Sequence, residues 1–271
     1  MRKHIIEGID EQGSPDMKYY SFDWDDNILT MPTQIILKDD KGRKVGMSTE
    51  DFAEYRTMIG KEPFEYEGKT IVGFDENPFK YFGVEGDKQF IIDSMVAKEG
   101  PAWSDFVEAI NGGSIFSIIT ARGHTPSILK EAVYNLIVSN HKGIDSKELV
   151  KNLIKYRNIA DENESSPNEM IREYLDLCRF YPVSYGEGSA TNPEEGKVKA
   201  MREFISYIRE ISSQLQKKAF LKNKVSNRFI PTIGFSDDDV RNLEKMKKHF
   251  EKDPILKTYS TAGGKKKLYE D

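Results

Sequence analysis

The stretch Tyr19-Tyr20-Ser21-Phe22-Asp23-Trp24-Asp25-Asp26-Asn27-Ile28-Leu29 is an apolar run that ends in three carboxylates and an amide. Apolar residues followed at once by Asp-x-Asp predict a buried strand that delivers two acids to the edge of a sheet. Open α/β sheets bind ligands at that edge. Two carboxylates so close repel each other unless a cation, a proton or a phosphate partner compensates them, so the stretch reads as a chemical site. Two plainer readings compete. Asp23-x-Asp25-x-Asn27 copies the first ligand positions of a calcium loop, but Ile28 stands where Gly is needed and Gln34 where Glu is needed. An acidic turn is the stronger rival, because Asp and Asn favour turns through local hydrogen bonds.

Three later segments extend the pattern. Ser114-Ile115-Phe116-Ser117-Ile118-Ile119-Thr120 is a second apolar run, and a helical stripe from residue 127 to about 138 follows the loop Ala121-Arg122-Gly123-His124-Thr125-Pro126. Thr120 thus falls where a hydroxyl and the following amides can hold an anion, although a β-branched residue is ordinary in a strand. A third strand is expected over 179–185, with Pro182 favouring an edge or a strand end. A long amphipathic helix then runs from 194 to about 216, with Lys197 in its first turn. The helix dipole disfavours lysine there, which points to another partner; simple exposure is the alternative. The fourth strand, 228–235, ends in Ser236-Asp237-Asp238-Asp239 before a helix from 240 to about 250. One acid suffices to cap that helix, and a divalent cation shared with the first acidic cluster would offset the repulsion in both.

Composition bounds the class. The 271 residues suffice for one large α/β domain with an insertion or for two small domains, and the formal net charge is -5. That mild acidity gives no electrostatic reason to expect a nucleic-acid groove or a membrane surface. Cys178 is the only cysteine, so no internal disulfide and no multi-cysteine zinc site can form within this chain. His4, His124, His141 and His249 show no ligand-like spacing. With no long apolar stretch, a cytoplasmic location is the expectation.

Asp23-Trp24-Asp25-Asp26-Asn27-Ile28-Leu29 resembles the Asp-x-Asp-Gly-Thr-x-Leu signature of the haloacid dehalogenase superfamily of phosphotransferases. Thr120, Lys197 and the segment 234–239 stand in the order and strand contexts of its three other motifs. The resemblance implies a doubly wound, mostly parallel α/β core from residues 17–30 and 112–271, with a cap-like α+β insertion over 31–111 and a helical elaboration over 143–177. It implies a magnesium-dependent phosphatase acting on a small phosphorylated substrate. Asp23 would be the nucleophile, Asp25 the acid and base, and Thr120 and Lys197 the groups that hold the phosphoryl oxygens. Mg²⁺ would be held by Asp23, Asp25 through its backbone carbonyl, Asp237 and Asp238.

The chain also departs from that signature. Asp26 and Asn27 replace the usual Gly and Thr. In the fourth motif either Asp237-Asp238 or Asp239 serves as the main acid, and the first is preferred because it follows the strand directly. Lys199 is a rival to Lys197. Within the insertion, the pattern predicts a hairpin turning at Asp40-Lys41-Gly42, a helix starting at Ser48, and an aromatic-rich stretch of Phe74, Phe79, Tyr81, Phe82 and Phe90, mostly for packing. A non-catalytic scaffold, a receiver-like phospho-acceptor and a nucleic-acid end-healing phosphatase are the alternatives.

Overall fold

Alternating apolar strands and amphipathic helices build the chain, whose computed structural model describes residues 17–157, 165–186, 192–221 and 231–269. The strand β1 (Met17–Phe22) leads through the acidic loop into β2 (Leu29–Thr30). An antiparallel section follows: β3 (Ile35–Asp39), β4 (Lys44–Met47), α1 (Thr49–Tyr55), β5 (Phe64–Tyr66) and β6 (Lys69–Phe74). Next come α2 (Asp87–Val96), β7 (Lys98–Glu99), α3 (Trp103–Asn111), β8 (Phe116–Thr120), α4 (Pro126–Val138) and α5 (Ser146–Asn152). The C-terminal part holds α6 (Pro167–Leu177), β9 (Arg179–Pro182), α7 (Pro193–Leu221), β10 (Pro231–Asp237), α8 (Val240–Phe250), β11 (Leu256–Ser260) and β12 (Lys267–Leu268).

Six strands form the main sheet in the order β12-β11-β10-β1-β8-β9, all parallel except the β11–β12 pair. From β1 the chain moves outward through β8 and β9, then returns to β10 on the other side of β1 and continues to β11. The topological switch therefore lies between β1 and β10, the place where ligands bind in such sheets. β9 lies at the edge and Pro182 is its last residue, both positions that a proline tolerates.

Strand alternation sends neighbouring side chains to opposite faces, and helices cover both. Tyr19 reaches Ser212 of α7, whereas Phe22 meets Phe106 of α3 edge-on at 5.6 Å. Phe116 packs edge-on against Phe106 and Tyr174 of α6 on that second face. The α/β class and the mostly parallel sheet are thus present in the structure. Among the described residues, no helix is long and apolar enough to cross a membrane.

The segment 31–111, expected as one insertion, divides in two. Strands β3 to β6 form a separate antiparallel sheet, β4-β3-β6-β5, with its own small core of Ile35, Leu37, Val45, Met47, Ile59, Phe64 and Ile71 beneath α1. The hairpin turns at the expected place, and Ser48 caps α1 by accepting from the Asp51 amide. Helices α2 and α3 instead join the main core: Phe90, Trp103, Phe106, Ala109 and Ile110 are buried in the same cluster as Phe22 and Phe116. Helix α2 packs against α4 and buries Phe90 in the main core, and α3 buries Trp103, Phe106, Ala109 and Ile110 there, so the lobe ends before α2. The helices α5 and α6 of 143–177 also pack into the main core. The expected break at 161–167 falls partly outside the described residues, as do residues 228–230 of the fourth strand and His4.

Phe106 lies among Phe22, Trp103 and Phe116 with no exposed surface. Phe106→Ala therefore costs about 3–5 kcal/mol of stability. Urea unfolding of the whole chain measures it, and a loss below about 1 kcal/mol would return α3 to the inserted lobe.

Candidate active site

The parallel register of β1 and β10 brings the two acidic strand ends together. Phe22 pairs with Ser236, and the Asp23 amide donates to the Ser236 carbonyl at 3.0 Å. Asp23 thus follows β1 just where Asp237 ends β10. Lys197, from the first turns of α7, comes between them. Its Nζ donates to Asp237 Oδ2 at 2.7 Å and lies 2.9 Å from Asp23 Oδ1. Asn192 caps α7 by accepting from the Glu194 and Glu195 amides, and so sets the position of Lys197. Lys197 is buried and Lys199 exposed, which separates the two candidates.

Asp237 is satisfied from several sides: its carboxylate also accepts from Asn242 Nδ2 at 2.9 and 3.0 Å and from the Asp239 amide at 3.0 Å. Asp23 has fewer partners: its Oδ1 faces the Lys197 ammonium at 2.9 Å. Asp239 turns away to cap α8 and pairs with Arg241, so Asp237 and Asp238 are the fourth-strand acids that face Asp23.

Asp23, Asp237 and Asp238 each place one carboxylate oxygen within 4.8 Å of the others. At an effective dielectric of about 20, two unit charges about 4 Å apart repel by about 4 kcal/mol. One ammonium faces three carboxylates, and two of them carry the strain. Burial pushes Asp23 well above the usual carboxylate range; Lys197 opposes this, while Asp237 and Asp238 add to it. Burial, then the neighbouring Asp237, pushes Asp238 up to about 8. Burial also works against the Lys197 ammonium, but Asp23 and Asp237 outweigh it and hold its pKa above the lysine range. Three hard carboxylate donors facing one ammonium suit a divalent cation, and this acidic triad can bind a metal ion.

Asn27 fastens the loop. Its Nδ2 donates to the Asp23 carbonyl at 3.0 Å and to Ser236 at its carbonyl, 3.1 Å, and hydroxyl, 3.0 Å. Its Oδ1 accepts from the Thr261 hydroxyl at 2.9 Å. Asp26, standing where the resembled signature has Gly, adopts φ 53°, the left-handed region that Asp tolerates better than most residues. Burial raises its carboxyl to about 6.

Asp25 is not part of the carboxylate triad. Arg122 holds its side chain in a two-pronged ion pair, Nε to Oδ2 at 2.8 Å and Nη2 to Oδ1 at 2.7 Å. Arg122 is itself fully buried; it also donates to the Thr33 hydroxyl and lies between the rings of Phe82 and Phe90, 4.6 and 5.0 Å from their centres. His124 stacks on Phe90 and pairs with Asp87 at 2.8 Å. The sequence reading assigned no role to Arg122 or to the His124–Asp87 pair; the only signal was an Arg and a His in the loop after Thr120. Gly123 in that loop approaches Ser184 so closely that a Cβ would lie 3.0 Å from its carbonyl oxygen.

Asp23, Asp25, Thr120, Lys197 and Asp238 line one cavity of about 770 Å³, together with Arg122 and residues of the inserted lobe. Thr120 stands at the buried end of β8, its hydroxyl accepting from the Arg122 amide at 3.3 Å. The lobe is tied over the cavity by Arg56 of α1, which bridges Glu194 at 3.1 Å and Asp239 at 3.6 Å, and by Arg241, which donates to the Ala53 carbonyl.

Lys197→Met leaves three carboxylates, two of them buried, with no cation and costs about 3–5 kcal/mol. Millimolar Mg²⁺ raises the melting temperature of this variant more than that of the wild type, because metal bound to the folded state replaces the missing charge. Equal shifts in a thermal melt would remove the triad as a cation site. Asn27→Ala costs about 1–3 kcal/mol in urea unfolding by stranding buried carbonyls, and Asn27→Asp does no better, since a carboxylate cannot donate.

The chain matches no family model, no curated protein and no solved structure in these three comparisons.

Proposed function

We propose that this chain is a phosphate monoester hydrolase that works through an aspartyl-phosphate on Asp23. The observation that carries the reading is the Asp23 carboxylate: buried at the switch point, lining a cavity, with the Lys197 ammonium 2.9 Å from its Oδ1. A carboxylate already bound on all sides, as Asp237 is, makes a poor nucleophile, and Asp23 has fewer partners than Asp237.

The Asp23 carboxylate attacks phosphorus, the bond from phosphorus to the alcohol oxygen breaks, and Asp25 gives that oxygen a proton. Water then attacks the acyl phosphate, Asp25 takes back a proton, and inorganic phosphate leaves with Asp23 regenerated. Serving both steps requires the Asp25 carboxyl to be released from its pair with Arg122, so Arg122 restrains Asp25 in this structure. Lys197 and the Thr120 hydroxyl hold the phosphoryl oxygens, and the Lys197 ammonium also keeps the nucleophile from being repelled by Asp237. Asp23, Asp237 and Asp238, with the Asp25 backbone carbonyl, would hold Mg²⁺, which when bound neutralises charge on the phosphoryl group.

The Arg122–Asp25 pair favours a second reading, a scaffold that keeps the fold and binds a phosphorylated partner without turnover, because it holds the acid and base away from Asp23.

Asp23→Asn removes the nucleophile, and phosphate release from 4-nitrophenyl phosphate in Mg²⁺ falls by about 10³-fold or more. Asp25→Asn slows the same reaction by about 10²–10⁴-fold. Wild-type chain that binds Mg²⁺ but releases no phosphate from any ester tested would favour the scaffold.

A further inference from the structure

Part of the cavity lining is apolar. Phe52 of α1 and Phe79 and Phe82 of the lobe form that part, and Tyr185 approaches from the loop after β9. Phe79 is 41% exposed and Tyr185 44% exposed, so ring surface that packing elsewhere buries is left open toward this cavity. The rings brace one another edge-on, Phe52 against Phe79 at 5.5 Å and Phe79 against Phe82 at 6.0 Å. Such an array offers both edges and faces to a further flat ring.

Charge narrows the occupant further. Among the described residues, three cationic side chains line the cavity, and each is already committed: Lys197 to Asp23 and Asp237, Arg122 to Asp25, Arg56 to Glu194 and Asp239. A second anionic group on the substrate finds no free cation among the described lining residues, and meets Asp26 and Glu194 instead. The cavity volume, about 770 Å³, lies in the range of about 300–1,000 Å³ typical of sites that enclose a whole small molecule. A phosphoryl group occupies only its carboxylate end.

We infer that the substrate is a small phosphate monoester with a single phosphoryl group, whose uncharged alcohol part carries a planar ring seated against Phe79, Phe82 and Tyr185. The inference rests on the hydrolase reading for the phosphoryl end and on the aromatic wall for the ring. Burying ring surface supplies affinity, and the paired cations discriminate against substrates with a second charge.

The test compares 2-phenylethyl phosphate with ethyl phosphate, whose leaving groups are both primary alkoxides, so that a difference reads recognition of the ring. The uncleavable 2-phenylethylphosphonate and ethylphosphonate are titrated in parallel by calorimetry with Mg²⁺ present. The phenylethyl member is expected to show about tenfold or higher kcat/KM, and its phosphonate about tenfold or tighter binding. Phe79→Ala and Tyr185→Ala, both at half-exposed rings where truncation opens no core cavity, are expected to erase that preference. Equal binding of the two phosphonates, binding of neither, or a preference that survives both variants overturns the inference. Cleavage of both esters without preference removes the ring site and leaves the hydrolase reading standing. A phosphonate preference lost in the variants, with no ester cleaved, supports the ring site and removes the hydrolase reading.

Discussion

The placement of one ammonium among converging carboxylates is the constraint on which the rest of the structure depends. A parallel sheet that changes direction between β1 and β10 must put the ends of those strands side by side, and both ends here are acidic. Without compensation the sheet would be pushed apart where its ladder is most buried. Lys197 supplies that compensation from α7, which explains why a lysine stands in the first turns of a helix, where the dipole disfavours it. The compensation is incomplete. Asp237 is saturated by Lys197, Asn242 and the Asp239 amide, while Asp23 and Asp238 are left with raised proton affinity. A site that retains protons or recruits a cation at neutral pH is the electrostatic consequence of that arithmetic.

A second set of ion pairs sets the shape of the cavity. The inserted lobe has its own small core, yet its position over the main sheet depends on polar and cation–π ties. Arg56 bridges to Glu194 and Asp239, Arg241 reaches the Ala53 carbonyl, and the Phe82 ring lies over the Arg122 guanidinium. Ties of this kind hold a lobe in place with less apolar area than a fused core and leave its inner aromatic face open. Arg122 takes part in both sets, since it holds Asp25 at the site while lying between Phe82 of the lobe and Phe90 of α2. The pose of the lobe and the pose of Asp25 are therefore mechanically linked.

Much of the site was legible because its signals are local. Apolar runs ending in Asp23, Thr120 and Asp237 mark strand ends by alternation and by the abrupt change to polar residues, and the structure gathers all three at one sheet edge with Lys197. Asp239 proved to be a helix cap, a role its place before Val240 permitted but did not require. Arg122 could not be read in this way. Its partner Asp25 lies 97 positions away, its hydroxyl contact Thr33 lies 89 away, and no periodicity connects them. The limit of the inserted lobe was equally hidden. The aromatics of 74–106 look alike in sequence, and only their packing separates Phe74 and Phe79 from Phe90 and Phe106.

The amino-acid sequence by itself determined the α/β alternation, the hairpin at Asp40-Lys41-Gly42 and the residues that reach the sheet edge. These follow from alternation and turn chemistry over a few neighbours. Tertiary structure alone decided which acid is saturated, which lysine of α7 faces inward, where the lobe ends, and that Arg122 holds Asp25 apart from the triad. Those outcomes depend on burial and on charges brought together from distant segments, and Coulomb energies are set by distances in space rather than by separations along the chain.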